Sequence, residues 1–304
     1  MIALERVADL RETCDAARHE GKTVGLVPTM GFFHEGHRSL MRAARSEHDL
    51  VVVTIFVNPL QFGAGEDLDG YPRDPEGDRA AAEAEGVDVL FTPSVAEMYP
   101  EPTRTTVHVD GLTTGLCGGA RPTHFDGVTT VVTKLFAMVG PCTAYFGRKD
   151  AQQFAVVRRM ALDLDLPVTV VGCPVVRERD GVAMSSRNAY LSAEERRAAT
   201  VLPRALRAAA HAVVAGERDP SVLRRGIESM VASEPLVAHE YAEVRRADDL
   251  EAVEYLDGEV LVAVAARVGS ARLIDNIMIT IAGGEVTTDL GVITPIGLAR
   301  ERRA

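Results

Sequence analysis

The sequence predicts a doubly wound α/β domain followed by a smaller α+β domain. Two observations favour the first domain. Short apolar segments alternate with helical patterns as far as residue 172, and polar groups or glycines follow three of the apolar segments. Short apolar strands separated by helices are typical of a parallel sheet that is covered on both faces. Ligands of such sheets bind beyond the carboxyl ends of the strands, so the strand ends are where we expect a site.

Five strands and five helices are predicted in this first domain, which we place at residues 1–174. The strands are Thr23–Val27, Leu50–Val57, Val87–Phe91, Ala144–Phe146 and Val168–Gly172. The helical patterns cover residues 4–20, 36–47, 75–85, 125–139 and 151–164. The polar strand ends are residues 29–37, 58–63 and 147–150. Three such ends at one edge of a sheet predict a functional edge rather than three ordinary turns.

Residues 175–284 predict a small α+β domain that acts as a lid over the first. Two short apolar runs flank the Asp180-Gly181 turn, as in a β-hairpin. Ser192 and Glu195 have the spacing of a capping box that opens an alanine-rich helix. Strand-like runs at 240–244, 260–268 and 273–279 close the domain. We expect residues 285–304 to form a flexible tail.

Composition limits the classes of function. The chain has 304 residues, 46% of them hydrophobic, which is enough for a sizeable core. Its net charge is −11 and no polybasic run occurs, so no nucleic-acid partner is expected. No apolar run approaches the ~20 residues that span a bilayer, and the N-terminus lacks a signal-peptide core. Four scattered cysteines fit free thiols in a reducing compartment, so we expect a cytoplasmic protein without membrane contact.

The most informative motif follows the first strand. Residues 28–37 read Pro-Thr-Met-Gly-Phe-Phe-His-Glu-Gly-His, which brings His34 and His37 to the start of a helix. The first N–H groups of a helix have no intrahelical partner and the helix dipole is positive there, so this position attracts anions. Gly36 has no Cβ that would keep a phosphate away. His-x-Gly-His at this place resembles the nucleotidyltransferase superfamily, which binds the phosphates of a nucleotide.

Two other interpretations of this region are disfavoured. A zinc site needs three or four ligands, and no cluster of Cys or His lies nearby in the sequence. Gly21-Lys22-Thr23 resembles the end of a P-loop, but position 16 is Ala and the tripeptide precedes the strand instead of following it.

Five motifs in series resemble the pantothenate synthetase family. They are residues 28–37, 55–63, 121–128, 149–153 and 184–188, and the resemblance covers about residues 1–280. It implies a Rossmann-like nucleotidyltransferase domain and an AMP-forming ligase that joins pantoate to β-alanine. The implied reaction uses ATP and Mg²⁺, passes through a pantoyl-adenylate, and releases pyrophosphate and AMP. The resemblance also implies a homodimer.

The resemblance assigns most site residues. It implies that ATP is bound by Met30, Gly31, His34, Gly36, His37, Gly147, Arg148, Lys149, Asp150, Val176, Met184, Ser185, Ser186 and Arg187. It makes His37 the acid, and we take His37, His34 and Lys149 as the catalytic candidates. Negative charge grows on departing pyrophosphate, so cations and N–H or O–H donors stabilise that transition state. Pantoate is placed against Gln61 and Gln153, with β-alanine also near Gln61; amides suit hydroxyls and carboxylates without adding charge.

The chain departs from the family pattern at two positions. Arg148 and Cys117 stand where the family commonly has Glu. We expect Arg148 to turn away from the nucleotide and Cys117 to lie in a loop. The acidic pair linked to Mg²⁺ in relatives is reduced to Gly77-Asp78, so Asp78 is the metal candidate; otherwise the ATP phosphates would hold the ion.

Two further functions stay open at this point. One is another nucleotidyltransferase, such as a cytidylyltransferase, against which Gln61, Gln153 and the Ser-Ser-Arg element argue. The other is a nucleotide-binding regulatory module without catalysis, which only Cys117 and Arg148 favour.

Overall fold

The computed structural model describes residues 1–294, and the chain divides into two compact units. The first unit contains residues 1–148 and 152–173. The second contains residues 149–151 and, among the described residues, 174–294. The main division therefore falls one residue before the predicted start of the second domain. The role of the second unit as a lid stays a prediction.

The first unit is built on one six-stranded sheet in which every neighbouring pair is parallel. Its strands are β1 (Ile2–Leu4), β2 (Val24–Thr29), β3 (Leu50–Ile55), β4 (Val89–Phe91), β5 (Cys142–Gly147) and β6 (Val168–Cys173). Their order across the sheet is β1-β4-β3-β2-β5-β6. The doubly wound class and its five predicted strands are confirmed. β1 was missed because it is short and largely exposed, which leaves little apolar signal.

Seven helices belong to this part of the chain. They are α1 (Val7–His19), α2 (Glu35–Glu47), α3 (Pro75–Ala84), α4 (Val95–Met98), α5 (Leu116–Ala120), α6 (His124–Val139) and α7 (Ala151–Asp163). The five predicted helices correspond to α1, α2, α3, α6 and α7. α6 is buried along most of its length, in keeping with its apolar sequence. Within residues 1–294, no helix combines the length and the apolar character needed to cross a membrane.

The second unit contains a four-stranded antiparallel sheet packed with helices. The sheet has the order β11-β10-β9-β8. Its strands are β8 (Val237–Arg246), β9 (Gly258–Val268), β10 (Ala271–Ala282) and β11 (Glu285–Asp289), and the helices are α8 (Ala193–Ala199), α9 (Val201–Val214) and α10 (Pro220–Ala232). A two-stranded parallel pair joins β7 (Val176–Arg177) to β12 (Val292–Ile293). The predicted capping box is confirmed, since Ser192 Oγ accepts the Glu195 N–H and Glu195 Oε2 accepts the Ser192 N–H.

The prediction of a flexible tail from residue 285 is wrong for residues 285–294. β11 pairs antiparallel with β10, and β12 pairs parallel with β7. The physical reason is that Val286, Thr287 and Thr288 are β-branched and continue a hairpin with β10. The rest of the expected tail, residues 295–304, lies outside the described residues.

Candidate active site

The strand order of the first unit reverses between β2 and β5. From β2 the chain moves outward through β3 and β4, whereas β5 and β6 lie on the other side. In open parallel sheets a crevice forms at such a reversal, beyond the carboxyl ends of the strands. The residues that follow β2, β3 and β5 are those that the sequence singled out, so all three predicted strand ends lie at one edge of the sheet.

A buried carboxylate shapes the turn after β2. Asp78 on α3 is only 2% exposed, and its two carboxylate oxygens accept the N–H groups of Phe32 and Phe33 at 2.7 and 2.6 Å. Gly31 and Phe32 both have left-handed backbones, with φ of +83° and +53°. A Cβ on Gly31 would lie 2.9 Å from Asp78 Oδ2, so glycine is required there. Asp78 therefore fixes the turn; its predicted role as a metal ligand stays a prediction.

The turn delivers the two histidines to the start of α2, as the sequence predicted. His34 is the N-cap residue, and the rings of His34 and His37 stack with centroids 4.1 Å apart. The His34 N–H donates to His37 Nδ1 at 3.4 Å. A backbone N–H can only donate, so Nδ1 is the acceptor and neutral His37 carries its proton on Nε2. In this tautomer Nε2 is the hydrogen-bond donor of the His37 ring, at the helix start where anions are attracted.

Gln61 follows β3 and is held in place by Arg121, at the end of α5, and by α6. Its main-chain carbonyl oxygen accepts from Arg121 Nη2 at 3.1 Å and lies 2.9 Å from His124 Nδ1. α6 comes this close because Gly127 packs on the backbone of Leu60, where a Cβ would lie 2.3 Å from the Leu60 oxygen. The buried Gln61 amide donates through Nε2 to Met30 Sδ at 3.1 Å. Met30 and Gln61, predicted separately as ATP and pantoate residues, are therefore in contact.

A charged pair supports this arrangement. Arg121 Nε donates to Glu66 Oε1 at 2.6 Å, and this hydrogen bond lowers the pKa of the Glu66 carboxyl below its usual value. Arg121 thus connects the carboxylate of Glu66 to the main chain of Gln61.

The two glutamines at the start of α7 have different surroundings. Gln152 is buried: its Nε2 donates to the carbonyls of Leu112 and Gly115 at 2.9 and 2.8 Å, and its Oε1 accepts the Gly118 N–H. Gln153, the predicted pantoate residue, is half-buried. No role was predicted for Gln152, because the sequence of two adjacent glutamines does not show which of them faces the interior.

The two departures from the family pattern lie in ordered structure. The expectation that Cys117 lies in a loop is wrong: it is buried in the short helix α5, whose backbone Gln152 holds through Gly118. Gly147 ends β5, and Arg148 follows it. Arg148 Nε lies 3.0 Å from the place that a Cβ of Gly172 would take, so this side chain approaches β6 at Gly172. Whether Arg148 avoids the nucleotide stays a prediction.

Gly36 lies in α2, and the remaining predicted residues belong to the second unit. The carbonyl oxygen of Lys149 accepts from Asn276 Nδ2 at 2.8 Å, and its ammonium lies 3.7 Å from Asp150 Oδ1. The Val176 carbonyl accepts the Met184 N–H at 2.9 Å within the predicted hairpin. Asn276, in β10, was not identified from the sequence because it lies 127 positions from Lys149.

The Ser-Ser-Arg element forms a capped 3₁₀ turn. Ser185 Oγ accepts the Arg187 N–H at 3.3 Å and caps the turn Ser186–Tyr190. Asn188 Nδ2 donates to Glu178 Oε1 at 2.9 Å and to the Ala183 carbonyl at 3.1 Å. Ser185, Ser186 and Arg187 thus belong to a capped turn, and their role in ATP binding stays a prediction.

A buried ion pair links β7 to β10. Arg177 Nη1 donates to Asp275 Oδ2 at 2.7 Å, and both side chains are 3% exposed. The guanidinium also donates to the carbonyls of Gly181 and Asn276 at 3.1 and 3.0 Å. Arg177 thus connects β7, the hairpin turn and β10.

Within residues 1–294, no three side chains of His, Cys, Asp or Glu come together as potential metal ligands. The use of Mg²⁺ with ATP and the assignment of Asp78 as its ligand stay predictions.

A parallel sheet whose strand order reverses, with a histidine-bearing helix start after β2 and a buried amide after β3, is typical of nucleotide-binding α/β enzymes. The family model described as Pantoate-beta-alanine ligase matches residues 2–278. A pantothenate synthetase of Heliobacterium modesticaldum is 55% identical over 281 residues, covering 92% of this chain and 100% of the relative. The chain belongs to the pantoate–β-alanine ligase family, and its reaction is the condensation of pantoate with β-alanine.

Solved structures agree with this assignment. The pantothenate synthetase of Thermus thermophilus matches with a TM-score of 0.87 and 47% identity, covering 91% of this chain and 98% of that one. The Francisella tularensis pantoate-beta-alanine ligase, described as complexed with beta-gamma ATP and beta-alanine, matches with a TM-score of 0.73 and 29% identity. It covers 91% of this chain and 97% of that one. These matches favour the ligase over the cytidylyltransferase and regulatory alternatives.

Proposed function

We propose that the chain performs its condensation in two steps through a pantoyl-adenylate. A carboxylate oxygen of pantoate attacks the α-phosphate of ATP, and the bond to the leaving pyrophosphate breaks. The amine of β-alanine then attacks the acyl carbon; the bond to AMP breaks and the amine loses a proton. The observation that carries this proposal is the contact of Met30 with Gln61, since it makes the predicted nucleotide turn and the predicted acid-binding amide neighbours.

The groups around the turn suit the first step. Pyrophosphate gains negative charge as it leaves, and fixed N–H donors stabilise that charge without reorganising. His37 Nε2–H and the first N–H groups of α2 are such donors, with His34 stacked against the ring of His37. Lys149, Ser185, Ser186 and Arg187 of the second unit carry further donors that the resemblance assigns to ATP.

Amides would recognise the acid. Gln61 and Gln153 suit the carboxylate and hydroxyl oxygens of pantoate, because an amide binds them without placing another charge beside ATP. Gln61 is buried, so a hydrogen bond to substrate there is less exposed to competition from water. β-Alanine is proposed to bind near Gln61 as well.

The metal ion, the cellular location and the oligomeric state are also proposed from the resemblance. Mg²⁺ would accompany ATP on its phosphates, since the described residues form no cluster of ligands. The enzyme would be cytoplasmic, in keeping with four free cysteines; burial raises the pKa of Cys14 to about 11 and keeps its thiol protonated. A homodimer is proposed on the resemblance alone.

Pyrophosphate exchange tests the proposal. With Mg²⁺-ATP, labelled pyrophosphate should enter ATP only when pantoate is present, and AMP should accumulate once β-alanine is added. Exchange without pantoate would indicate another nucleotidyltransferase. The absence of both exchange and AMP would contradict catalysis by this route.

A further inference from the structure

The side chains behind Gln61 form a chain of hydrogen bonds that ends at a tyrosine. We infer that Tyr99, acting through Asn58, is a positioning residue that fixes the Gln61 amide as a hydrogen-bond donor toward the acid substrate. This inference rests on the proposed function, because it specifies how Gln61 meets pantoate. It also limits which groups of the substrates Gln61 can bind.

The orientation of the Asn58 amide follows from two backbone groups. Asn58 is 1% exposed; its Oδ1 accepts the Leu60 N–H at 3.3 Å, and its Nδ2 donates to the Gly127 carbonyl at 3.0 Å. A backbone N–H can only donate and a carbonyl can only accept. Exchanging the oxygen and nitrogen of this amide would place donor against donor and acceptor against acceptor. Only one orientation therefore satisfies both contacts.

Tyr99 adds a second hydrogen to the same oxygen. Its hydroxyl lies 2.8 Å from Asn58 Oδ1, and since Oδ1 can only accept, the phenol must donate. Burial raises the pKa of Tyr99 to about 12, so the phenol keeps its proton at physiological pH. The ring is placed by Phe56, whose centroid lies 5.9 Å away, and by the Lys134 ammonium at 5.5 Å.

The orientation of Asn58 determines that of Gln61. Asn58 Nδ2 donates to Gln61 Oε1 at 3.2 Å, so the Gln61 carbonyl oxygen faces Asn58 and its NH₂ faces the turn after β2. There the NH₂ lies 3.1 Å from Met30 Sδ. A thioether is a weak acceptor, so an oxygen of a substrate would be a better partner for this donor.

A donor at this position selects between substrate groups. The Gln61 NH₂ can donate to a carboxylate or hydroxyl oxygen. It cannot accept a hydrogen bond from an ammonium group. Pantoate offers only oxygens, whereas β-alanine would have to meet Gln61 through its carboxylate and not its amine. Its amine would then stay available to attack the acyl carbon.

The variant Tyr99→Phe tests the inference, because it removes the hydroxyl and keeps the ring. A matched control is Tyr145→Phe, a buried tyrosine of the same unit whose hydroxyl donates to Glu47 at 2.6 Å. Titration calorimetry of the full chain measures the Kd for pantoate and for ATP. Tyr99→Phe should raise the Kd for pantoate about 3- to 10-fold, the scale of one neutral hydrogen bond. The Kd for ATP should change less than about twofold. Tyr145→Phe should leave both constants within about twofold.

A double-mutant cycle with Gln61→Ala separates positioning from general loosening. In the Gln61→Ala background, Tyr99→Phe should have no further effect on kcat/KM for pantoate. Three results would overturn the inference. They are unchanged pantoate affinity in Tyr99→Phe, an equal loss of affinity for ATP, and the same loss of kcat/KM for pantoate with and without Gln61→Ala. If the wild-type chain binds no pantoate, the proposed function fails and the inference fails with it. If the wild type binds pantoate and Tyr99→Phe binds it equally well, only the inference fails.

Discussion

The turn at residues 28–37 and the segment at residues 184–188 both carry predicted ATP residues, but the buried charged residue of each region differs: Asp78 accepts hydrogen bonds and Arg177 donates them. In the first, the carboxylate of Asp78 accepts backbone N–H groups. In the second, Asn188 donates to a backbone carbonyl, and Arg177 donates to carbonyls of the hairpin turn and of β10.

The two regions should therefore respond differently to substitution. Asp78 acts on one turn, at the end of a strand whose position the parallel sheet already fixes. Arg177 connects three segments of the second unit, and it does so with a buried charge whose counterion is Asp275. A buried ion pair costs desolvation energy, so removal of one partner leaves an uncompensated charge. Loss of Arg177 should therefore lower global stability more than a change in the turn, whereas a change in the turn should also slow the reaction.

The largest effect is expected for Arg177→Met, which leaves Asp275 buried without its partner. We expect the free energy of unfolding to fall by about 3–5 kcal/mol, measured by urea denaturation. The matched control is Arg246→Met, which breaks the exposed pair with Asp249 and should cost at most ~1 kcal/mol. Adding Asp275→Leu to Arg177→Met should recover part of the loss. A loss no greater than that of the control would remove the contrast between the two regions.

A large kinetic effect is expected for His37→Ala. Adenylation should slow by about 10²–10³, as for loss of one transition-state donor, while the unfolding transition changes little. The rate of pantoate-dependent pyrophosphate exchange measures the first, and thermal denaturation the second. His211→Ala, at an exposed position on α9, is the control and should alter neither. If His37→Ala unfolds the protein, the histidine is structural.

Asp78→Asn sharpens the account of the turn. An amide oxygen can replace one carboxylate acceptor, but the NH₂ then faces a backbone N–H. We expect a loss of about 1–3 kcal/mol in the free energy of unfolding together with slower exchange. If Asp78 acted only on Mg²⁺, stability would be unchanged and only the Mg²⁺ concentration dependence of the rate would shift.

The smallest effect concerns Glu66 and pH. Its hydrogen bond with Arg121 lowers the pKa of the carboxyl in the folded state below the unfolded value. The pair therefore stabilises the fold above the unfolded-state pKa, and this contribution is lost as pH falls through the folded-state pKa. Glu66→Gln should lower stability by at most ~1 kcal/mol at about pH 7, and the difference should vanish in acid. A difference that persists in acid, below the folded-state pKa, would show that charge is not its cause.

The elements around the site could be predicted because they depend on the local sequence pattern. Apolar periodicity located the strands and helices around the site, and the His-x-Gly-His motif located the start of α2. Their joint position followed from the rule that parallel strands end at one edge of the sheet.

The supporting contacts could not be predicted, because they join distant positions. Asp78 lies 45 residues from Phe33, and Tyr99 lies 41 residues from Asn58. Asp78 was a metal candidate because the resemblance links an acidic pair at this place to Mg²⁺, and the sequence does not show that its carboxylate accepts two backbone N–H groups. Cys117 was expected in a loop for a similar reason: its glycine-rich surroundings hide the buried Gln152 that holds the backbone of α5.

The central claim is that pantoate attacks the α-phosphate of ATP, and oxygen transfer tests it most directly. Pantoate labelled with ¹⁸O in its carboxylate would be incubated with Mg²⁺-ATP, β-alanine and the enzyme, and the products analysed by mass spectrometry. The account predicts one ¹⁸O in each AMP formed, because the attacking oxygen stays on the α-phosphate when the amine displaces AMP. Unlabelled AMP, or ADP with the label in inorganic phosphate, would contradict it.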